Sequence, residues 1–230
     1  MTTTADHIPA IRRKAARRTR TVSPAVLLAT ATTGAPVFAT AVVSQAAARD
    51  GYDITRHPAS MLANGNFGWV QVTTFLVCGA VMLVGALGAR RTMRFGAGHT
   101  WGPRLLAIQG AGLIVAGIFR LDPAEGFPKG TPAGTPTTMS WHSIVHNLAG
   151  TIAFLAMIAA CFVLARRFIG LWAKTGRLCG ALFSVGLVWC YTGGADGALI
   201  LFLGVVIAWS WISATAARVA RSTDRKPPRS

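Results

Sequence analysis

"GWVQVTTFLVCGAVMLVGALGA", Gly68 to Ala89, is a run of 22 residues without a charged side chain, closed by Arg90 and Arg91. A helix of about 20 apolar residues crosses the hydrocarbon core of a bilayer. No water reaches the backbone there, so a crossing segment must satisfy its own N–H and C=O groups, and this run is read as a transmembrane helix. Five further charge-free runs repeat the pattern: Val26–Ser44, Leu105–Phe119, Ile144–Ala165, Leu178–Gly194 and Ala198–Ala217. The second and fourth of these five are short for a span. Only 13% of the chain is charged, about half the share of a soluble domain. The expected fold is all-α, a polytopic membrane bundle of six transmembrane helices.

A net charge of +16 on a soluble protein would point to nucleic acid, but here its distribution speaks for topology instead. The segment before the first span, the second and fourth connections and the tail together hold nineteen of the 23 basic residues. Only Arg49, Arg56, Arg120 and Lys129 fall on the other side, together with Asp50, Asp53, Asp122, Glu125 and Asp196. The positive-inside rule then places both termini in the cytoplasm. Trp69, Trp141 and Trp189 fall near outer span ends, and Trp101, Trp172, Trp209 and Trp211 near inner ends, as interfacial belts would. The expected partners are membrane lipids, with no nucleic acid, and the N-terminal arm is suited to anionic headgroups.

Residues 1–21 read as a disordered basic cytoplasmic arm, 22–217 as the six-helix domain and 218–230 as a basic cytoplasmic tail. The first apolar run is longer than a signal-peptide core, which favours a retained anchor over a cleaved leader. Cys78, Cys161, Cys179 and Cys190 lie in or beside spans without metal-ligand spacing and read as small buried residues. Pro36 should kink the first span, because it removes an i→i−4 bond. Small residues four apart, such as Gly112/Ala116, Ala149/Ala153 and Gly176/Gly180, mark faces where helices approach closely.

No Asp, Glu, Lys, Arg or His falls mid-span, which weighs against an ion-coupled carrier. Gln109 is the main polar group at depth. The candidate site therefore lies on the outer rim. "YDITRHPASMLANG" supplies Asp53, Arg56, His57 and Ser60, with Pro58 opening a short interfacial helix that ends at Asn64-Gly65. "FRLDPAEGFPKG" supplies Arg120 and Asp122, and "SWHSIVHNLAG" supplies His142 and His146, one helical turn apart. Pairing of Arg56 with Asp122, or of Arg120 with Asp53, would lock the two long outer loops. Alternatively the two arginines fork a phosphate.

Asp53-x-x-Arg56-His57-Pro58-x-Ser60, Gly68-Trp69-Val70-Gln71, Gly117-x-Phe119-x-x-Asp122-Pro123 and His146 resemble the membrane family called domain of unknown function 998. The resemblance runs over nearly the whole bundle, from about Ala25 to Ala214. It implies a multi-pass protein of the bacterial inner membrane, and no established reaction.

The histidines admit two readings. In one, His146 is a buried polar group bonded to Asp122 or Arg56 and His142 is interfacial. In the other, His57, His142, His146 and Asp122 bind zinc with a position left for water. That set would resemble the alkaline ceramidase and progestin-receptor-like membrane hydrolases, from which this chain departs in having six spans, not seven, and a pair that opens the fourth span, not the last. Ser143 after His142 also excludes the zincin HExxH pattern. The leading expectation is a protein without cofactor that binds a lipid headgroup or small ligand or acts as a scaffold, rather than an enzyme. The alternative is a zinc-dependent membrane hydrolase acting on a lipid amide or ester.

Overall fold

The computed structural model describes Val22 to Asp224, so the expected N-terminal arm and the end of the tail lie outside the described residues. The described chain is all-α. Helix α1 (Pro24–Ala29) passes through a 3-10 turn (Thr30–Thr32) into α2 (Gly34–Ala48). A second 3-10 turn (Ala59–Ala63) precedes α3 (Gly68–Thr92), α4 (Trp101–Ile118), α5 (Trp141–Ala165), α6 (Gly170–Tyr191) and α7 (Gly197–Asp224). The short helix expected after Pro58 is this second turn, with Asn64 as its C-cap. Five segments are long and apolar enough to cross a membrane: Pro24–Ala48, Gly68–Thr92, Trp101–Ile118, Trp141–Ala165 and Gly197–Thr223. Helix α6 is 22 residues long, but Lys174 and Arg177 lie in its first turns, so five rather than six segments qualify by composition. Helix α7 continues past the expected end of its span, through Arg218 and Arg221.

The first span is broken, and the break falls one turn before Pro36. A proline ring removes the bond to the carbonyl four residues earlier and crowds it, which here is Thr32. The strain is absorbed at Thr30–Thr33, and neighbouring helices take up the loosened backbone. Ser213 Oγ of α7 donates to Ala31 O at 3.0 Å, and Thr30 Oγ1 donates both to Leu27 O and, on α3, to Val81 O. Irregular backbone is tolerated at membrane depth when protein groups satisfy it in this way.

Each helix packs on the next, from α3 to α4, α5, α6 and α7, and α7 returns to α1 and α2. Helix α7 also touches α3 and α5, which makes it the hub of the bundle. Small residues set the closest approaches. A Cβ on Gly79 would lie 2.6 Å from the carbonyl of Gly110, and one on Gly110 would lie 2.7 Å from that of Gly79. Gly112 likewise meets Ala149 and Ala153, as the four-residue spacing predicts. Trp69, Trp101, Trp141 and Trp189, expected at the membrane interfaces, are exposed. Trp209 and Trp211 differ: they are buried at 1% and 6% exposure, packed into the room left by Gly34 of α2 and Gly176 of α6.

Candidate functional site

Two long connections, Arg49–Phe67 and Phe119–Ser140, meet at the acidic end of the bundle, and an aromatic contact joins them. The backbone from Ala124 to Phe127 reverses through a tight turn with both central residues, Glu125 and Gly126, at positive φ. Such a turn favours glycine at its second central position. The turn drives Phe127, 1% exposed, into a cradle made by the other connection. Tyr52 and His57 flank its ring at 5.3 and 5.5 Å, and the Arg49 guanidinium lies over it at 5.1 Å. Arg49 is itself fixed by donating to Leu62 O and Asn64 O. His57 is buried and fully engaged: Nδ1 accepts the Asp53 N–H at 2.9 Å, and Nε2 donates across to Glu125 O at 3.0 Å. Burial of the Tyr52 phenol, which donates to His57 O, pushes its pKa up.

The charge pairs expected between these loops do not form. Arg56 meets Glu125 at 3.4 Å with both side chains exposed, a contact worth at most about 1 kcal/mol. Arg120 is exposed, and Asp53 accepts from the Thr55 N–H and hydroxyl, the hydroxyl bond above all holding its carboxyl below the usual range. Asp122 serves α5 instead. Its carboxylate takes the Ser140 hydroxyl at 2.6 Å and the Ser140 N–H at 2.7 Å, and Ser140 Oγ caps α5 by accepting the Ser143 N–H. Ser143 Oγ closes the circuit by accepting the Asp122 N–H. Asp53 and Asp122 thus bond to backbone N–H groups and hydroxyls in place of arginines.

The Ser140 hydroxyl is the main reason the Asp122 carboxyl titrates below its ordinary value. A depressed folded pKa stabilises above the unfolded value and is lost as pH falls through the folded one. Asp122→Asn should therefore cost about 1 kcal/mol at neutral pH, the usual worth of a helix cap. Thermal melts in detergent should show the gap from wild type narrowing as pH falls below about 4 and closing once the pH passes the depressed folded value.

His146 is buried, as expected, but its partners are neither Asp122 nor Arg56. Nδ1 donates to Ala116 O and Phe119 O, each at 2.8 Å, tying α5 to the end of α4. His142 is exposed and stacks on Trp141 with ring centroids 3.7 Å apart. The zinc set does not assemble: among the described residues no three His, Cys, Asp or Glu side chains are grouped to hold a metal. His57 has both nitrogens committed, and His146 has turned Nδ1 to backbone carbonyls.

Below this rim lies a cavity of about 130 Å³. It extends from Ser60 and Tyr191 to Trp209 in the interior of α7. Of the eight candidate residues only Ser60 and His146 line it. Its walls are stripes at helical spacing: Gln109, Leu113 and Ala116 from α4, His146, Gly150, Phe154 and Met157 from α5, and Leu201, Phe202, Val205 and Trp209 from α7. Phe38 of α2 packs against Phe75, Phe202 and Trp209 behind them, with centroids 5.5 to 6.3 Å apart. No acidic or basic side chain other than His146 lines the space.

Three polar groups on this wall lack partners among the described residues. Gln109 is 0% exposed and neither its Nε2 nor its Oε1 makes a bond. The Trp209 Nε1–H is also buried and unpaired. His146, with its proton on Nδ1, leaves Nε2 as a free acceptor. An unmatched buried amide costs a few kcal/mol, and native interiors rarely leave one so. Gly150 is the complementary feature, since a Cβ there would meet nothing within 4 Å. The site therefore offers ring-sized space, an aromatic lining, an unpaired amide beside it and no fixed charge.

The profile of a family described as a protein of unknown function (DUF998) matches residues 32–218. No curated protein and no solved structure matches the chain.

Proposed function

The chain belongs to the DUF998 family, a bacterial-type multi-pass membrane protein, and from the site it builds we propose that it binds an uncharged amphipathic molecule drawn from the membrane. The observation that carries this reading is Gln109, a fully buried amide beside an aromatic cavity with neither polar atom hydrogen-bonded among the described residues. A ligand head carrying one hydrogen-bond donor and one acceptor would pair both atoms. A cavity near 150 Å³ accommodates a benzene-sized ring, so a head of about that size enters and the rest of the molecule stays in lipid. The role is binding or scaffolding, since among the described residues no hydroxyl or thiol of the wall is hydrogen-bonded to His146.

In the membrane, α6 is the fifth of six spans, with Lys174 and Arg177 snorkelling to the headgroups. Both termini are cytoplasmic in a bacterial inner membrane, supported by the basic excess at one end of the bundle. The cavity then opens towards the outer leaflet beneath the latched loops.

Two variants test the reading. Gln109→Leu removes no existing bond, so folding stability should be unchanged or slightly raised, while the ligand's polar partner is lost. Gly150→Leu fills the space. Protein purified in mild detergent should carry a neutral lipid, detected by mass spectrometry of the organic extract, at about one per chain, and both variants should lose it. Equal neutral-lipid content in wild type and both stable variants would refute the proposal.

A further inference from the structure

At the opposite, basic end a second concavity of about 550 Å³ lies between α3 and α4. Arg90 on the last turn of α3, Arg94 just beyond it, and Arg104 on the first turn of α4 line it with His99. Among the described residues none of these arginines has an acidic partner, and both ion pairs sit at the other end of the molecule. The floor is apolar, formed by Leu83, Leu87 and Ala107 of the same two helices.

The mouth is prebuilt. Arg167, from the α5–α6 connection, donates to Phe95 O and Ala97 O and so pins the α3–α4 connection. His99 Nδ1 donates to Gly96 O, and the Thr100 hydroxyl donates to His99 Nε2. Arg104 is held over the ring of exposed Trp101 at 5.4 Å. Helix α4 begins here without an acidic residue or a side-chain cap, so its positive dipole end is uncompensated. Three guanidiniums without an acidic partner among the described residues, one of them on the uncapped first turn of α4, above an apolar floor, describe an anion with a hydrocarbon tail.

We propose that this cleft between α3 and α4 binds one anionic phospholipid, its phosphate held by Arg90, Arg94 and Arg104 and an acyl chain laid along Leu83, Leu87 and Ala107. Planar guanidiniums fork phosphate oxygens, and basic pockets between transmembrane helices suit such headgroups. This site is separate from the Gln109 cavity, and neither depends on the other.

The test is native mass spectrometry of the delipidated full chain, titrated with phosphatidylglycerol, phosphatidylcholine of the same acyl chains, or soluble glycerophosphate. Phosphatidylglycerol should bind with one preferred site, tighter than phosphatidylcholine. The Arg94→Gln/Arg104→Gln pair should weaken it by roughly tenfold or more, as about 1 kcal/mol per basic residue implies. The charge-matched pair Arg166→Gln/Arg177→Gln, at the same end but outside the cleft, should bind like wild type, and melting should confirm that both variants fold. Equal affinity for the two lipids would overturn the site. So would equal weakening in both pairs, the mark of diffuse attraction, or competition by glycerophosphate as strong as by the lipid.

Discussion

Phe127→Ala should lower the unfolding free energy in detergent by about 3–5 kcal/mol, the range for truncating a fully buried phenylalanine. The ring is the one large apolar group through which the second connection enters the first. Its removal strips Tyr52, His57 and Arg49 of a shared contact at once. It also loosens the turn that presents Glu125 O to His57 Nε2. Hydrogen exchange should rise across Tyr52–Asn64 and Ala124–Gly134 while the interior of α3 stays protected. Arg56→Ala should do far less, since its pair with Glu125 is exposed. A Phe127→Ala protein as stable as wild type, or an Arg56→Ala loss of equal size, would show that charge rather than the aromatic plug joins the loops.

Gly88→Leu should cost more than about 3 kcal/mol, beyond the usual range for overpacking. Overpacking is mild when a neighbouring side chain can turn away. At Gly88 the obstacle is backbone: a Cβ would collide with the amide of Leu28, where α1 crosses α3. Neither helix can relax locally, because α1 is also anchored at its break by Thr30 to Val81 O and by Ser213 to Ala31 O. The seam must open instead. The expected readout is a large fall in folded yield and in the midpoint of unfolding, whereas Gly150→Leu, facing open space, leaves both near wild type. Parity of the two glycine variants would contradict the packing described for α1 and α3.

The helices were legible because lipid imposes the simplest of codes. A run such as Gly68–Ala89 cannot cross as anything but a helix, and the arginines that follow it mark its end. Helix α6 blurred that code, since Lys174 and Arg177 sit inside the helix rather than before it. The interior arrangement was not legible. In lipid the outward face is as apolar as the inward one, so periodicity does not reveal that Gln109, His146 and Trp209 face a common space. A span ending at Ala217 places Trp209 near the membrane edge, but the indole packs inward on Gly34 and Phe38 of α2, and no pattern in α7 alone announces that.

The rim was half legible for another reason. Asp53, Asp122, His57 and His146 are structurally engaged as buried or capping groups, yet their partners are backbone atoms and serine or threonine hydroxyls. Such partners leave no sign in a sequence read for opposite charges. Phe127 did leave one: a lone large apolar residue in "PAEGFPKG", where solvent-exposed turn residues would be expected throughout.

The most direct test of ligand binding at Gln109 is a high-resolution density map of the wild-type chain in nanodiscs made from bacterial lipid. The expected result is density for a bound non-protein molecule between Phe154, Phe202 and Trp209, with a polar atom about 3 Å from the Gln109 amide. A collapsed cavity in which Gln109 bonds to protein, or one holding only water, would contradict it.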